Sequence, residues 1–378
     1  MIIDIPILGF GHTGGYRVLS ELANQWIIMG HSVRFLVSTG SPMPYFHTRA
    51  EILWLDEAGK AAKTGGENTY GKQLGRKGVL RMLRTIWNGL NRFSRNSDII
   101  LANHSLTSWP VSLCNSHALK FYYVQAFEPE YYSVRPGINN RVLQMLATGS
   151  YLLPLQQIAN ASVYLNHKVI RAKQYVPPGI DFMLMHPKAM IGTLTQPVIL
   201  GCIGRHEPQK GTRFVLEAFR RLQVQGASVE LHVAYGNLPP GAEHISNLKV
   251  VIPKNDTELA SYYRSLDIMI APGTVQLGAP HYPVMEAMAC GIPVITTGYL
   301  PADPTNAWIV PIEESQPIVE AVFDILQNPN LCLKKTLKAQ NDIKPFGWPT
   351  VAKRMITVFE DSRYSEQNKL NNELNSNR

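Results

Sequence analysis

Arg205 and Lys210 stand five positions apart in a glycine-bounded loop, Gly204-Arg-His-Glu-Pro-Gln-Lys-Gly211, which follows an apolar run and precedes a helical pattern. A planar guanidinium and a compact ammonium at this spacing suit a dianion held between them, such as a diphosphate. A second chemical group lies in the stretch Pro280-His-Tyr-Pro-Val-Met-Glu-Ala-Met-Ala-Cys-Gly-Ile-Pro-Val-Ile-Thr-Thr297. Pro283 suits the start of a helix, because its φ is already helical and its missing N–H would have had no partner there. Glu286 then falls in the first turn, and its side chain leans back toward the helix entrance. That entrance is expected to offer the amides of His281, Tyr282 and Val284 and the positive end of the helix dipole to an anion. The Glu286 carboxylate can accept two hydrogen bonds from a ribose diol. Taken alone, the stretch also reads as one more helix of an α/β sheet with a surface Glu.

The elements that must position these groups are strands alternating with helices. Residues 2–8 are apolar, Gly9, Gly11, Gly14 and Gly15 follow, and Val18, Leu19, Leu22, Trp26 and Ile27 then recur at helical spacing. This is strand, glycine turn and helix, the opening of a doubly wound sheet. Strands are expected at 98–102, ending in Asn103-His104, at 120–124, ending in Gln125-Ala-Phe-Glu128, and at 161–165. Ligands of parallel sheets sit at C-terminal strand ends, which favours Gln125 and Glu128 as functional groups. His104 and His167 read as lone structural or surface histidines. A turn-rich joint at Tyr175-Val-Pro-Pro-Gly-Ile-Asp181 precedes a second strand and helix series that begins near Pro197.

With 378 residues the chain exceeds one hydrophobic core, so two domains are expected. The four cysteines are widely separated with no zinc spacing, and neither a membrane span nor a signal peptide is evident, so a reduced cytoplasmic protein without structural metal is expected. A net charge of +8 attracts anions. No nucleic-acid motif accompanies it, and nucleic acid is not expected as a partner. The charge concentrates between Lys60 and Arg95, where nine cations face a single acid, Glu67. In its second half Met82, Leu83, Ile86, Trp87, Leu90 and Phe93 form one helical stripe, with Arg81, Arg84 and Arg95 off it. Such a helix packs on a sheet with a solvated basic face, or lies on an anionic membrane surface.

Gly204-Arg205-x-x-x-x-Lys210-Gly211 together with Pro283-Val-Met-Glu286-Ala-Met-Ala-Cys-Gly-Ile-Pro-Val294 resembles the retaining glycosyltransferases of family four. Gly14-Gly15, Val176-Pro-Pro-Gly-Ile-Asp181 and Phe346-Gly-Trp348 resemble that family's glycine loop, interdomain joint and final helix. The resemblance implies an α/β GT-B fold, with two Rossmann-like domains facing a cleft and a C-terminal helix crossing back. The expected division is 1–174 for the acceptor domain, 175–345 for the nucleotide-sugar domain, 346–361 for the returning helix and 362–378 for a disordered tail. By that likeness Arg205 and Lys210 hold the donor diphosphate and are catalytic, Glu286 holds the ribose, and the amides of Tyr282 and Val284 meet the phosphate. Val251, Ile252, Pro253 and Lys254 would lie against the base, and Gly14 and Gly15 would approach the diphosphate. The family's usual Glu, eight residues before Glu286, is Gly278 here, and Gln125 stands where a His is common. His281, Gln125 and Glu128 are therefore the polar residues expected around the sugar.

The function so implied is retaining, metal-independent hexosyl transfer, glucose from UDP-glucose being the expected donor, to a glycan or lipid-linked glycan in polysaccharide biosynthesis. No cofactor is implied, and the expected location is cytoplasmic, peripheral to the inner face of the membrane. The Gln125-x-x-Glu128-Pro-x-Tyr pattern also resembles a rhamnosyltransferase-like subset, so a dTDP-rhamnose-dependent transferase is an alternative. A non-hydrolysing sugar epimerase and a degenerate, non-catalytic partner subunit are the others.

Overall fold

The structure, a computed structural model, describes residues 1–66, 76–133, 137–188, 194 and 196–376. The chain divides into one compact unit of Met1–Pro178 with Trp348–Arg378, and a second of Gly179–Gly347.

In the first unit the order is β1 (Ile2–Pro6), α1 (Gly14–Ile28), β2 (Ser32–Ser38), β3 (Glu51–Leu55), α2 (Arg76–Phe93), β4 (Ile99–Ala102), α3 (Ser105–Leu113), β5 (Leu119–Val124), α4 (Pro129–Ser133), α5 (Ile138–Ser150) and β6 (Gln156–Ala159). The six strands form one parallel sheet in the order β3-β2-β1-β4-β5-β6. β1, β4 and β5 bury nearly every residue, as strands covered on both faces must. The expected strand at 161–165 is instead a short 3-10 turn, and the sheet is completed by Gln156–Ala159. Pairing with β5 puts Ile158 opposite Tyr123, and the register ends where the Asn160 side chain donates to the Gln125 carbonyl.

The second unit continues with β7 (Val198–Ile203), α6 (Thr212–Val224), β8 (Val229–Ala234), β9 (Leu248–Val251), α7 (Asp256–Ser265), β10 (Ile268–Ala271), α8 (Tyr282–Ala289), β11 (Val294–Thr296), β12 (Trp308–Ile309), α9 (Gln316–Gln327) and α10 (Pro329–Ile343). Its parallel sheet runs β12-β11-β10-β7-β8-β9. One apolar cluster gathers Phe214, Phe219, Leu222 and Ile318, and another gathers Tyr263, Met285, Met288 and Tyr299. Each sheet reverses its strand order once, between β1 and β4 and between β7 and β10. The crevices for ligands in doubly wound sheets lie at the C-terminal ends of such strand pairs.

The last helix, α11 (Trp348–Ser376), belongs to the first unit. Val351, Ala352, Met355 and Phe359 are buried, Phe359 meets Trp26 of α1 edge-on, and the Trp26 indole donates to the Ala352 carbonyl. The helix runs on to residue 376, where polar composition predicts a disordered tail. A helix already nucleated by packing adds each further residue at little cost, and the ion pair of Arg363 with Asp98 ties its middle to the sheet. Residues 377 and 378, and Glu67 and Lys72 of the basic segment, lie outside the described residues.

Candidate functional site

In the second unit the switch point is built by glycines that admit no side chain. A Cβ on Gly204 would stand 1.7 Å from the Gly236 carbonyl oxygen, and one on Gly211 would stand 2.0 Å from that of Pro272. Gly211 also has φ +77°, the left-handed region that glycine adopts without strain. Thr212 closes the loop: its hydroxyl accepts from the Arg205 amide and donates to the Arg205 carbonyl, both at 3.1 Å. The Thr274 amide donates to the Gln209 carbonyl at 2.9 Å, which joins this loop to the one leaving β10. The Arg205 side chain is thereby displayed to solvent while Lys210 is half-buried. Burial lowers the Lys210 ammonium pKa from its usual value, the Arg205 charge lowers it further, and Glu207 acts against both. Among the described residues no carboxylate forms an ion pair with either cation.

At the far side of the second loop His281 caps α8. The expectation that the Val284 amide faces a ligand is corrected by the structure: it donates to the His281 carbonyl at 3.0 Å, because the first turn closes tightly, and the residue is fully buried. Glu286 is buried, and its carboxylate accepts the Tyr263 hydroxyl at 2.8 Å. Tyr263 comes from α7, and burial followed by the Glu286 charge keeps its phenol well above its ordinary pKa. It therefore stays a donor and fixes one edge of the carboxylate. His281 stacks on Tyr299 with ring centroids 4.3 Å apart. Gly278 has φ +80° and its amide donates to the Gly298 carbonyl at 2.9 Å. Of the segment expected at the base, Val251 ends edge strand β9, Ile252 and Lys254 are exposed, and Pro253 is buried.

In the first unit the structure brings Gln125 to the glycine loop. Gly14 opens α1, and a Cβ on Gly15 would lie 3.2 Å from Gln125 Oε1. Glu128 stands elsewhere than expected. It is buried, and its two oxygens receive the Ser105 amide, the Ser105 hydroxyl at 2.5 Å, the Tyr122 hydroxyl at 3.3 Å and His104 Nε2 at 3.2 Å. Its acceptor capacity is spent anchoring the N-terminus of α3, where a negative charge is favoured by the helix dipole. His104 is likewise not alone. Its Nδ1 accepts from the Leu106 amide at 3.0 Å, so the neutral ring carries its proton on Nε2 and donates it to Glu128. Burial and then the Glu128 charge push Tyr16 and Tyr132 up to about 12. Tyr16 escapes the sequence reading because it sits on α1, far in sequence from Glu128. The order β4-β5 is the signal that places His104 beside Glu128.

Along α2, Met82, Ile86 and Leu90 are buried as expected, but Trp87 is 40% exposed and its indole donates to the Leu113 carbonyl. The opposite side forms a cavity of about 1130 Å³ lined by Glu57, Arg81, Arg84, Trp87, Arg92 and Arg95. Arg81 contacts Glu57, leaving an excess of cations. No helix among the described residues is long and apolar enough to cross a membrane.

Residues 197–328 match the family model described as glycosyl transferases group 1. Phosphatidyl-myo-inositol mannosyltransferase of Mycolicibacterium smegmatis is 26% identical over 171 residues, 42% of this chain and 44% of that protein, so the match spans less than half of that relative's length. Sucrose-phosphate synthase from Thermosynechococcus elongatus superposes with a TM-score of 0.74 at 17% identity, covering 96% of this chain and 99% of that one. HepE of Anabaena, in complex with UDP and glucose, does so at 0.69 and 14%, covering 96% and 100%. These likenesses show the fold: two Rossmann-like parallel-sheet domains of the GT-B type.

Proposed function

We propose that this chain is a retaining glycosyltransferase that moves a hexose, glucose from UDP-glucose in the first instance, to a glycan or lipid-linked glycan. One observation carries the reading: among the described residues Arg205 and Lys210 form no ion pair with a carboxylate, and they stand on a tightly packed glycine loop at a strand-order reversal, tied to the loop that leads to His281 and Glu286. The family match, residues 197–328, contains this loop, His281 and Glu286, and the HepE structure was solved with UDP and glucose.

In this reaction the sugar–oxygen bond to the diphosphate breaks while the acceptor hydroxyl attacks the same face of the sugar. The departing diphosphate oxygen takes the acceptor's proton. Arg205 and Lys210 stabilise the negative charge that grows on it, and fixed cations need no reorganisation to do so. Glu286, with one edge held by Tyr263, accepts the ribose hydroxyls. No metal is required for this charge balance. An epimerase would instead need acid and base groups at the sugar ring, and Glu128 is spent on α3. Incubation with UDP-glucose and a panel of glycans, with UDP release and product anomer read by NMR, tests the assignment. Retained configuration supports it; a new epimer of the donor or no turnover with any acceptor sinks it.

The basic face of α2 supports peripheral docking on anionic lipid, which would bring a lipid-linked acceptor to the protein. Arg81, Arg84, Arg92 and Arg95 supply the charge and exposed Trp87 the interfacial ring.

A further inference from the structure

His281, in the proposed diphosphate site, has a buried ring nitrogen with no hydrogen-bond partner among the described residues. Its backbone is extended at the N-cap of α8, where a side chain commonly accepts an amide, yet its imidazole makes no cap hydrogen bond. Nδ1 is buried with no partner. The ring is held by stacking on Tyr299, at 25° between planes, and Tyr299 is anchored by its hydroxyl on the Val275 carbonyl at 2.8 Å. A buried polar atom without a partner is destabilising, so a fixed orphan of this kind points to a ligand that satisfies it.

The charged groups around it come from three directions. The loop after β7 brings Arg205 and Lys210, with Glu207 beyond Lys210. α8 brings Glu286, already bonded to Tyr263 of α7. The segment after β11 brings Tyr299, whose phenol burial pushes up to about 12 and which is therefore neutral. Burial first, then Lys210 and Arg205, hold the imidazole down at about 3. Burial, the largest cause, remains when a ligand binds, and a diphosphate must offset it by neutralising Lys210 and Arg205 and by its own charge.

We propose that His281 is the third, proton-dependent cation of this site: neutral in the free protein, it takes a proton from solvent as a diphosphate binds Arg205 and Lys210, and then donates to that anion. This rests on the reading of Arg205 and Lys210 as the diphosphate site. The only bond formed is N–H on the imidazole, and the proton is supplied by the buffer. Binding raises the pKa of the group, so the added affinity is fully present below the free-state pKa and is lost as pH rises from there through the bound-state pKa.

UDP-glucose is the suitable probe, because its diphosphate is a diester with no phosphate titrating near neutrality, so any proton taken up belongs to the protein. Calorimetry at pH about 6, in buffers of different ionisation heat, counts those protons. We expect roughly one proton taken up per donor bound, with affinity falling up to tenfold per pH unit through the transition. His281→Asn should still bind with almost no uptake. His281→Phe, which keeps the stack on Tyr299, should bind with an affinity independent of pH in this range. Tight binding without uptake by the unaltered protein overturns this inference and leaves the diphosphate site standing. Equal uptake by His281→Asn overturns it too and assigns the proton to another group. No binding of UDP-glucose at all overturns both readings.

Discussion

Both units set a polar cluster at the C-terminal ends of adjacent parallel strands, and they treat it in opposite ways. At the ends of β4 and β5, Glu128 is surrounded by donors from Ser105, Tyr122 and His104, and His104 spends its other nitrogen on Leu106. At the ends of β7 and β10, among the described residues, Arg205 and Lys210 form no ion pair with a carboxylate and His281 Nδ1 has no hydrogen-bond partner. Buried polar groups are normally satisfied, so the first cluster has the accounting of scaffold, whereas the second is the one proposed to bind an anion. A carboxylate at a strand end is thus not evidence of chemistry until its acceptor capacity has been counted.

That contrast breaks most visibly in activity. Lys210→Ala and Arg205→Ala should each lower turnover by ~10²-fold or more while leaving the melting temperature near that of the parent, because each removes charge stabilisation that grows in the transition state and no scaffold contact. Unaltered turnover would place the diphosphate elsewhere. Glu128→Gln should do the reverse. It replaces an acceptor of several donors by a neutral amide, and denaturant unfolding should show a loss of about 1–3 kcal/mol with UDP affinity unchanged. Weakened UDP binding with intact stability would return Glu128 to the site.

Glu286→Gln sharpens the comparison, since this residue is both buried and predicted to touch ligand. Its ribose contacts become neutral, and calorimetry with UDP should show about 1–3 kcal/mol of affinity lost. An unchanged dissociation constant would make it scaffold like Glu128. For the α2 face, each cation near an anionic surface contributes about 1 kcal/mol, so Arg81→Glu with Arg84→Glu should strongly reduce flotation with anionic vesicles. Equal flotation before and after would leave that face merely solvated.

The smallest difference is expected across donor sugars. With Gly278 in place of a carboxylate, UDP and several UDP-hexoses at 100 times their dissociation constants should each raise stability by a similar amount, about 2.7 kcal/mol. A panel of UDP-, GDP- and dTDP-sugars in a thermal-shift experiment reads this. A steep preference for one hexose over bare UDP would show a fully built sugar site, and a preference for dTDP-sugars would favour the rhamnosyltransferase-like alternative.

What the sequence determined by itself is local. Apolar runs at strand length, helical stripes such as Val18 to Trp26, and glycines flanking Arg205 and Lys210 specify two parallel α/β sheets and a tight cationic loop, because each depends on neighbours a few residues away. The partners that decide what each polar group does are distant in sequence. Glu128 meets Ser105 across adjacent strand ends, Glu286 meets Tyr263 from the preceding helix, and the packing of α11 on α1 joins Trp26 and Ala352, 326 positions apart. Periodicity shows that a residue faces a sheet or a solvent face, but only strand order and helix packing set which donors stand within 3 Å or so of it. The same long-range packing turned the polar tail into the continuation of a helix, spent the Val284 amide inside its own turn, and left one imidazole nitrogen without a partner.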